Sequence, residues 1–140
     1  TTVKKFKAIL LVDDDDATND LHRLFLQEWD CAEHIYTAPN GQEALEFLQT
    51  NRDFQEGQPS LILLDINMPI MNGFEFMEAY QTLDSQFKAS IVVVMLTSSL
   101  HHTDQERASG LTELASFINK PLSQEQMHAI MEQVKVTIDT

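Results

Sequence analysis

Short apolar runs alternate along this chain with longer stretches in which apolar residues recur every three or four positions. The runs are "FKAILLV" (6–12), "EHIYTA" (33–38), "LILL" (61–64), "IVVVML" (91–96) and "LASFI" (114–118). Each has the length of a strand, and three are apolar almost throughout, as in strands buried on both faces of a parallel sheet. Between them, Leu21, Leu24, Phe25 and Trp29 share one helical stripe, and Met127, Ile130, Met131 and Val134 share another. Both stripes are read as core-facing. "NGQEALEFL" opens on Asn40 with Glu43 three residues on, the capping-box arrangement of a helix start. "GFEFMEAYQTL" (73–83) predicts a third helix, and residues 103–109 a short fourth.

Strict alternation of strand and helix implies an α/β fold, a doubly wound parallel sheet with right-handed crossovers. Ligands in such folds bind beyond the carboxyl ends of the strands. The residues that follow each run are therefore the candidates for chemistry. Asp13 and Asp14 follow Val12, Asp65 follows Leu64, Thr97 follows Leu96, and the fifth run leads through Asn119 to Lys120. Any one of these has a plain explanation, since polar residues commonly follow buried strands. Together they bring three carboxylates, a hydroxyl and an ammonium to one rim. Oxygen-only ligands suit a hard divalent cation such as Mg²⁺. A carboxylate is also a competent nucleophile toward phosphorus. Phosphoryl transfer then needs mainly positioning and neutralised oxygens, which the metal, Lys120 and Thr97 could supply.

Composition narrows the choice. With a formal charge of −13 and no basic helix, the chain is poorly suited to phosphate backbones, so direct nucleic-acid binding is not expected. No apolar stretch reaches the roughly 18 residues a membrane span needs, so no membrane insertion is expected. Cys31 is alone, which rules out an internal disulfide and points to a reducing cytoplasm. The 140 residues contain no linker-like segment and fit one domain.

"LLVDDDD", "LLDINMPIMNGFEF", "VVVMLTSS" and "FINKPL" resemble the signature segments of the receiver domain of two-component response regulators. The resemblance runs from about residue 4 to residue 136, with the motifs in the family's order. It implies a flavodoxin-like fold of five βα units, strand order 2-1-3-4-5, forming a single receiver domain over residues 1–140. Asp65 would be the phosphorylated nucleophile. Asp14 would bind Mg²⁺ (or Mn²⁺ in its place) directly, with Asp13 beside it, and Asn67 would contribute a backbone carbonyl. Thr97 and Lys120 would each meet a phosphoryl oxygen, and Phe117 would be the switch aromatic that follows Thr97. The Lys120–Pro121 bond would be cis. The implied partners are a sensor histidine kinase or phosphotransfer protein, and a downstream protein target. That target would bind the face of the fourth helix, fifth strand and fifth helix, around residues 101–138. Such a protein modifies only itself and is not a conventional enzyme. Asp15 and Asp16 match no obligatory position and are expected to open the first helix, where negative charge is favoured.

A rival comes from another class. "DDDAT" (14–18) satisfies the D-x-D-x-T motif of haloacid-dehalogenase-like phosphatases, with Asp14 and Asp16 as its carboxylates. Thr97 or Ser98 and Lys120 could serve as its later motifs. It lacks an acidic pair after the lysine and leaves Asp65 idle. A calcium loop of EF-hand type is weaker still, because counting from Asp13 puts Thr18 and Leu24 where glycine and glutamate are needed. His22, His34 and His128 show no metal-ligand spacing, and Cys31 has no basic partner. "GLTELASF" (110–117) is longer than the family's usual glycine-to-aromatic interval, which leaves the switch geometry open. The loop "TNRDFQEGQPS" (50–60) receives no role. Ser98 and Ser99 are expected to influence how long a phosphoryl group survives.

Overall fold

The computed structural model describes residues 2–3, 5–54, 59–84, 88, 90–98, 102–134 and 138–139. Strands β1 (Phe6–Val12), β2 (Ala32–Ala38), β3 (Ser60–Asp65), β4 (Ile91–Thr97) and β5 (Leu114–Asn119) form one parallel sheet in the order β2-β1-β3-β4-β5. They alternate with helices α1 (Asp16–Trp29), α2 (Gly41–Thr50), α3 (Gly73–Gln81), α4 (His102–Ser109) and α5 (Gln124–Val134). This is the flavodoxin-like α/β arrangement. A feature the pattern did not suggest is a two-residue antiparallel ladder between Thr2–Val3 and Ile138–Asp139.

The three nearly uniform apolar runs became β1, β3 and β4, the strands with neighbours on both sides. Leu61, Ile62, Leu63 and Leu64 are all at most 1% exposed. Truncation of any of them to Ala would cost about 2–5 kcal/mol. One core cluster contains Leu10, Ile62, Phe76 and Met95, the other Ile9, Leu61, Val94 and Met127, as expected when alternate strand residues face opposite helix layers.

Register brings the functional ends level. Val12 lies opposite Leu64, Asp65 opposite Leu96, and Thr97 opposite Asn119. The long interval before Phe117 is absorbed by a bulge. Val93 pairs with Leu114 but Val94 pairs with Ser116, which leaves Ala115 as the extra residue. Phe117 thereby lies opposite Met95.

The stripe on α1 needs correction. Leu21 and Leu24 are 41% and 62% exposed, while the buried residues of that helix are Asn19, His22 and Leu26. Two hydrogen bonds set this rotation, from Asn19 to the carbonyl of Asp13 and from the Leu122 amide to His22. Phe25 and Trp29 stack on each other at 5.4 Å. On α5 the expected Met127, Ile130 and Met131 are buried, and the Val134 side chain lies outside the described residues.

At Asn40 only half of the capping box forms: its side chain accepts from the Glu43 N–H, but Glu43 is met by the Asn40 side-chain amide. The complete box belongs to Asn72 and Glu75 at the start of α3. The loop before β3 is partly structural. Its short 3₁₀ turn (Arg52–Phe54) buries Phe54 against Tyr36 and Phe47, and Asp53 accepts the Tyr36 hydroxyl. Among the described residues no helix is long and apolar enough to cross a membrane.

Candidate acidic site at the strand ends

Asp13 is held from three directions. Its N–H donates to the Ala38 carbonyl (3.1 Å), its Oδ1 accepts from the Asp15 N–H (2.9 Å), and its carbonyl accepts from Asn19 Nδ2 (3.0 Å). Asp15 caps α1, accepting from the Ala17 N–H and the Thr18 hydroxyl. The Thr18 bond is the main reason its carboxyl is held below the ordinary range. Asp16 lies in the first helical turn. The aspartate quartet thus divides as expected, two for the rim and two for the helix start.

Asp65 is itself the last residue of β3. The Gly73 N–H donates to the Ile66 carbonyl (2.8 Å), which seats the capped start of α3 directly on the strand end. Asp13, Asp14 and Asp65 each offer an oxygen within 4.8 Å of the others. Asp13 and Asp65 are buried, whereas Asp14 is exposed and leaves the cluster open to solvent. Among the described residues the carboxylates gathered with Asp14 are therefore Asp13 and Asp65, not the Asp16 that a phosphatase would need.

Lys120 is fixed by its N–H, which donates to the Thr97 carbonyl (2.8 Å), and is followed by a cis bond to Pro121, as the resemblance implied. Its Nζ reaches Asp13 Oδ2 at 2.5 Å and Asp65 Oδ1 at 3.0 Å. Burial alone would push the ammonium toward deprotonation. The hydrogen bonds and charges of Asp13 and Asp65 outweigh it, so its pKa is raised. Asp65 is also raised, first by burial and then by the Asp13 charge, with Lys120 opposing. Three carboxyls facing one ammonium leave an excess of negative charge, and the all-oxygen donor set fits a hard divalent cation.

Thr97 is 1% exposed and ends β4 one residue beyond the partner of Asp65. Phe117 is half-buried and lines a groove of about 370 Å³ with Ala108, Leu111, Leu114 and Ala115. Asn67 is exposed, in the loop between β3 and α3. Ser98 is exposed beside Thr97, and Ser99 lies outside the described residues. Cys31 is buried and its thiol is pushed up to about 11, chiefly by that burial, which makes it inert. His22, whose spacing suggested no role, is 2% exposed and accepts from the Leu122 N–H. Its signal was a second stripe at helical spacing, Asn19, His22 and Leu26, whose two polar members lay beside a more conspicuous apolar stripe.

The family model of the response regulator receiver domain matches residues 9–132. The chain belongs to that family. The receiver is 30% identical over 127 residues to a probable methanogenesis regulatory protein, FilR2, of Methanothrix harundinacea, covering 91% of this chain and 80% of that one. A two-component response regulator from Cytophaga hutchinsonii superposes with a TM-score of 0.84 at 27% identity, covering 94% of this chain and 98% of the other. The chemotaxis protein CheY4 of Vibrio cholerae gives 0.72 at 27% identity, covering 92% and 98%. The receiver is a module of two-component phosphorelay signalling rather than a catalytic enzyme, and its family implies a cognate histidine kinase.

Proposed function

We propose that the receiver is a phospho-accepting switch in which Asp65 takes a phosphoryl group from a histidine kinase or phosphotransfer protein. The observation that supports this most is the Lys120 ammonium shared between Asp13 and Asp65 within the carboxylate cluster. A carboxylate oxygen of Asp65 attacks phosphorus, the bond from phosphorus to the donor's imidazole nitrogen breaks, and an aspartyl phosphate forms while that nitrogen keeps the electron pair. Asp65 must be ionised to attack, and Lys120 works against the burial that disfavours its anion. Lys120 then meets one phosphoryl oxygen and the Thr97 hydroxyl another, so charge building on phosphorus is neutralised in place. Asp13, Asp14, Asp65 and the Asn67 carbonyl would hold Mg²⁺, or Mn²⁺ in its place. When bound, the ion supplies further neutralisation of the phosphoryl oxygens.

Thr97 and Phe117 couple this event to the surface. They lie two residues from one another in register, through the Met95–Phe117 and Thr97–Asn119 pairs. Movement of Thr97 toward the phosphoryl group frees Phe117 to turn inward, changing the face of α4, β5 and α5 that a downstream protein reads. The working compartment is the cytoplasm. Incubation with acetyl phosphate, with and without Mg²⁺, followed by intact mass tests the reading. A phosphate-sized, base-labile gain is expected only with Mg²⁺ and is absent from Asp65→Ala; an undiminished gain in that variant would refute the assignment.

A further inference from the structure

Two polar side chains on the buried face of α1 tie down the segments that carry the charges of the pocket. Asn19 Nδ2 donates to the Asp13 carbonyl, and His22 Nε2 accepts from the Leu122 N–H at 3.4 Å, two residues beyond Lys120. Asn19, His22 and Leu122 are 5%, 2% and 1% exposed. An imidazole buried this deeply costs desolvation, so a leucine would be the cheaper filler unless the hydrogen bond matters. Leu122 precedes α5, whose start is capped by Ser123 (its hydroxyl accepts from the Gln126 N–H), so helix bonds do not occupy the Leu122 N–H. Without His22 that N–H would be buried and unpaired.

We propose that His22 is a positioning residue for Lys120: by holding the Leu122 amide from within α1, it fixes residues 120–122 so that the ammonium reaches Asp13 and Asp65 together. The segment is then pinned at both ends, by the Thr97 carbonyl at Lys120 and by the imidazole at Leu122. Nε2 accepts only when it carries no proton, so the ring must be neutral with its hydrogen on Nδ1. Burial disfavours protonation, the Lys120 charge adds to it, and Asp13 opposes both; the net direction is downward from the ordinary histidine range. Among the described residues these two, just past the ends of β5 and β1, are the charged groups that act on the ring. The same helix thus sets the position of an acid through Asn19 and of its counter-charge through His22.

This inference rests on the reading of Asp65 as phosphoacceptor, and its test separates the two. His22→Gln keeps an acceptor without titrating, whereas His22→Leu fills the space without one. The two variants, Lys120→Met and the His22→Leu/Lys120→Met double variant are compared with wild type by ¹⁵N NMR and by labelling with acetyl phosphate and Mg²⁺. The Leu122 amide shift should persist in His22→Gln and move in His22→Leu. Labelling should slow about tenfold in His22→Leu, stay within about twofold in His22→Gln, and fall no further in the double variant than in Lys120→Met. Equal labelling in His22→Leu, or an equal extra loss in the Lys120→Met background, would overturn the proposal. If His22→Leu does not fold, the ring nitrogens of wild type decide: a protonated Nε2 at neutral pH overturns it, an unprotonated one supports it. Failure of wild type to label would instead sink the phosphoacceptor reading, while the Leu122 amide comparison would still judge His22.

Discussion

A Cβ on Gly73 would lie 2.6 Å from the carbonyl oxygen of Asp65. It would also lie 3.0 Å from the Cα of Ile66, so both obstacles are backbone and neither can rotate away. The start of α3 can rest on the end of β3 only because residue 73 has no side chain. Gly73→Ala is therefore expected to destabilise the receiver by about 2 kcal/mol, measured by denaturant unfolding. It should also slow labelling of Asp65, because relief of the clash displaces that residue from Lys120. An alanine variant with wild-type stability and rate would show that the contact is not tight.

Lys120 shares its charge between two buried carboxyls. Lys120→Met removes those charge-assisted hydrogen bonds and should lower stability near neutral pH by about 2 kcal/mol. The pH dependence has a definite sign. Because the folded-state pKa is raised above 10.5, the stabilisation is complete below that value and is lost as pH rises through the folded one. Wild type should converge on Lys120→Met in strongly alkaline buffer, which thermal melts across that range can read.

Asp65 has the opposite effect on stability. Its pKa is raised from 3.8 by burial and by Asp13, so the native state binds more protons than the unfolded chain just above that value. Stability must fall as pH rises through this window, and the carboxylate is then a net cost. Asp65→Asn should accordingly melt a few degrees higher than wild type at neutral pH without divalent cations. The advantage should disappear once the medium is acid enough to protonate the carboxyl in both states. Added Mg²⁺ should raise the wild-type melting temperature by mass action and do little for Asp14→Asn.

Ile70 is 74% exposed and takes a φ of 69°, at the centre of a three-residue turn closed by the Met71 N–H on the Pro69 carbonyl. A β-branched residue in the left-handed region costs about 1–2 kcal/mol. Ile70→Gly should relieve most of this and stabilise the fold by about 1 kcal/mol, again visible in denaturant unfolding.

The rim of the sheet was legible because burial and chemistry wrote opposite signals side by side. Three apolar runs announced the central strands, and the first polar residues after them were Asp13, Asp65 and Thr97. The cis bond at Pro121 and the division of the aspartate quartet followed from motif identity and helix-start preference. Features set by long-range hydrogen bonds were not legible. Leu21 and Leu24 looked like core, yet α1 turns Asn19 and His22 inward because Asp13 and Leu122 offer them partners there. Nor could spacing alone show that the extra residue before Phe117 is Ala115, since a bulge is defined only by the partner strand. The role of Phe54 was hidden for a similar reason: its pocket is made by Tyr36 and Phe47, residues on another strand and helix.

The central claim concerns one side chain, and borohydride reads it directly. Reduction of an aspartyl phosphate converts that residue to homoserine, which peptide mass spectrometry can place in the chain. After treatment with acetyl phosphate and Mg²⁺, homoserine is expected at position 65 and at no other aspartate. Its appearance at Asp13 or Asp14 with residue 65 intact, or its absence throughout, would contradict the account.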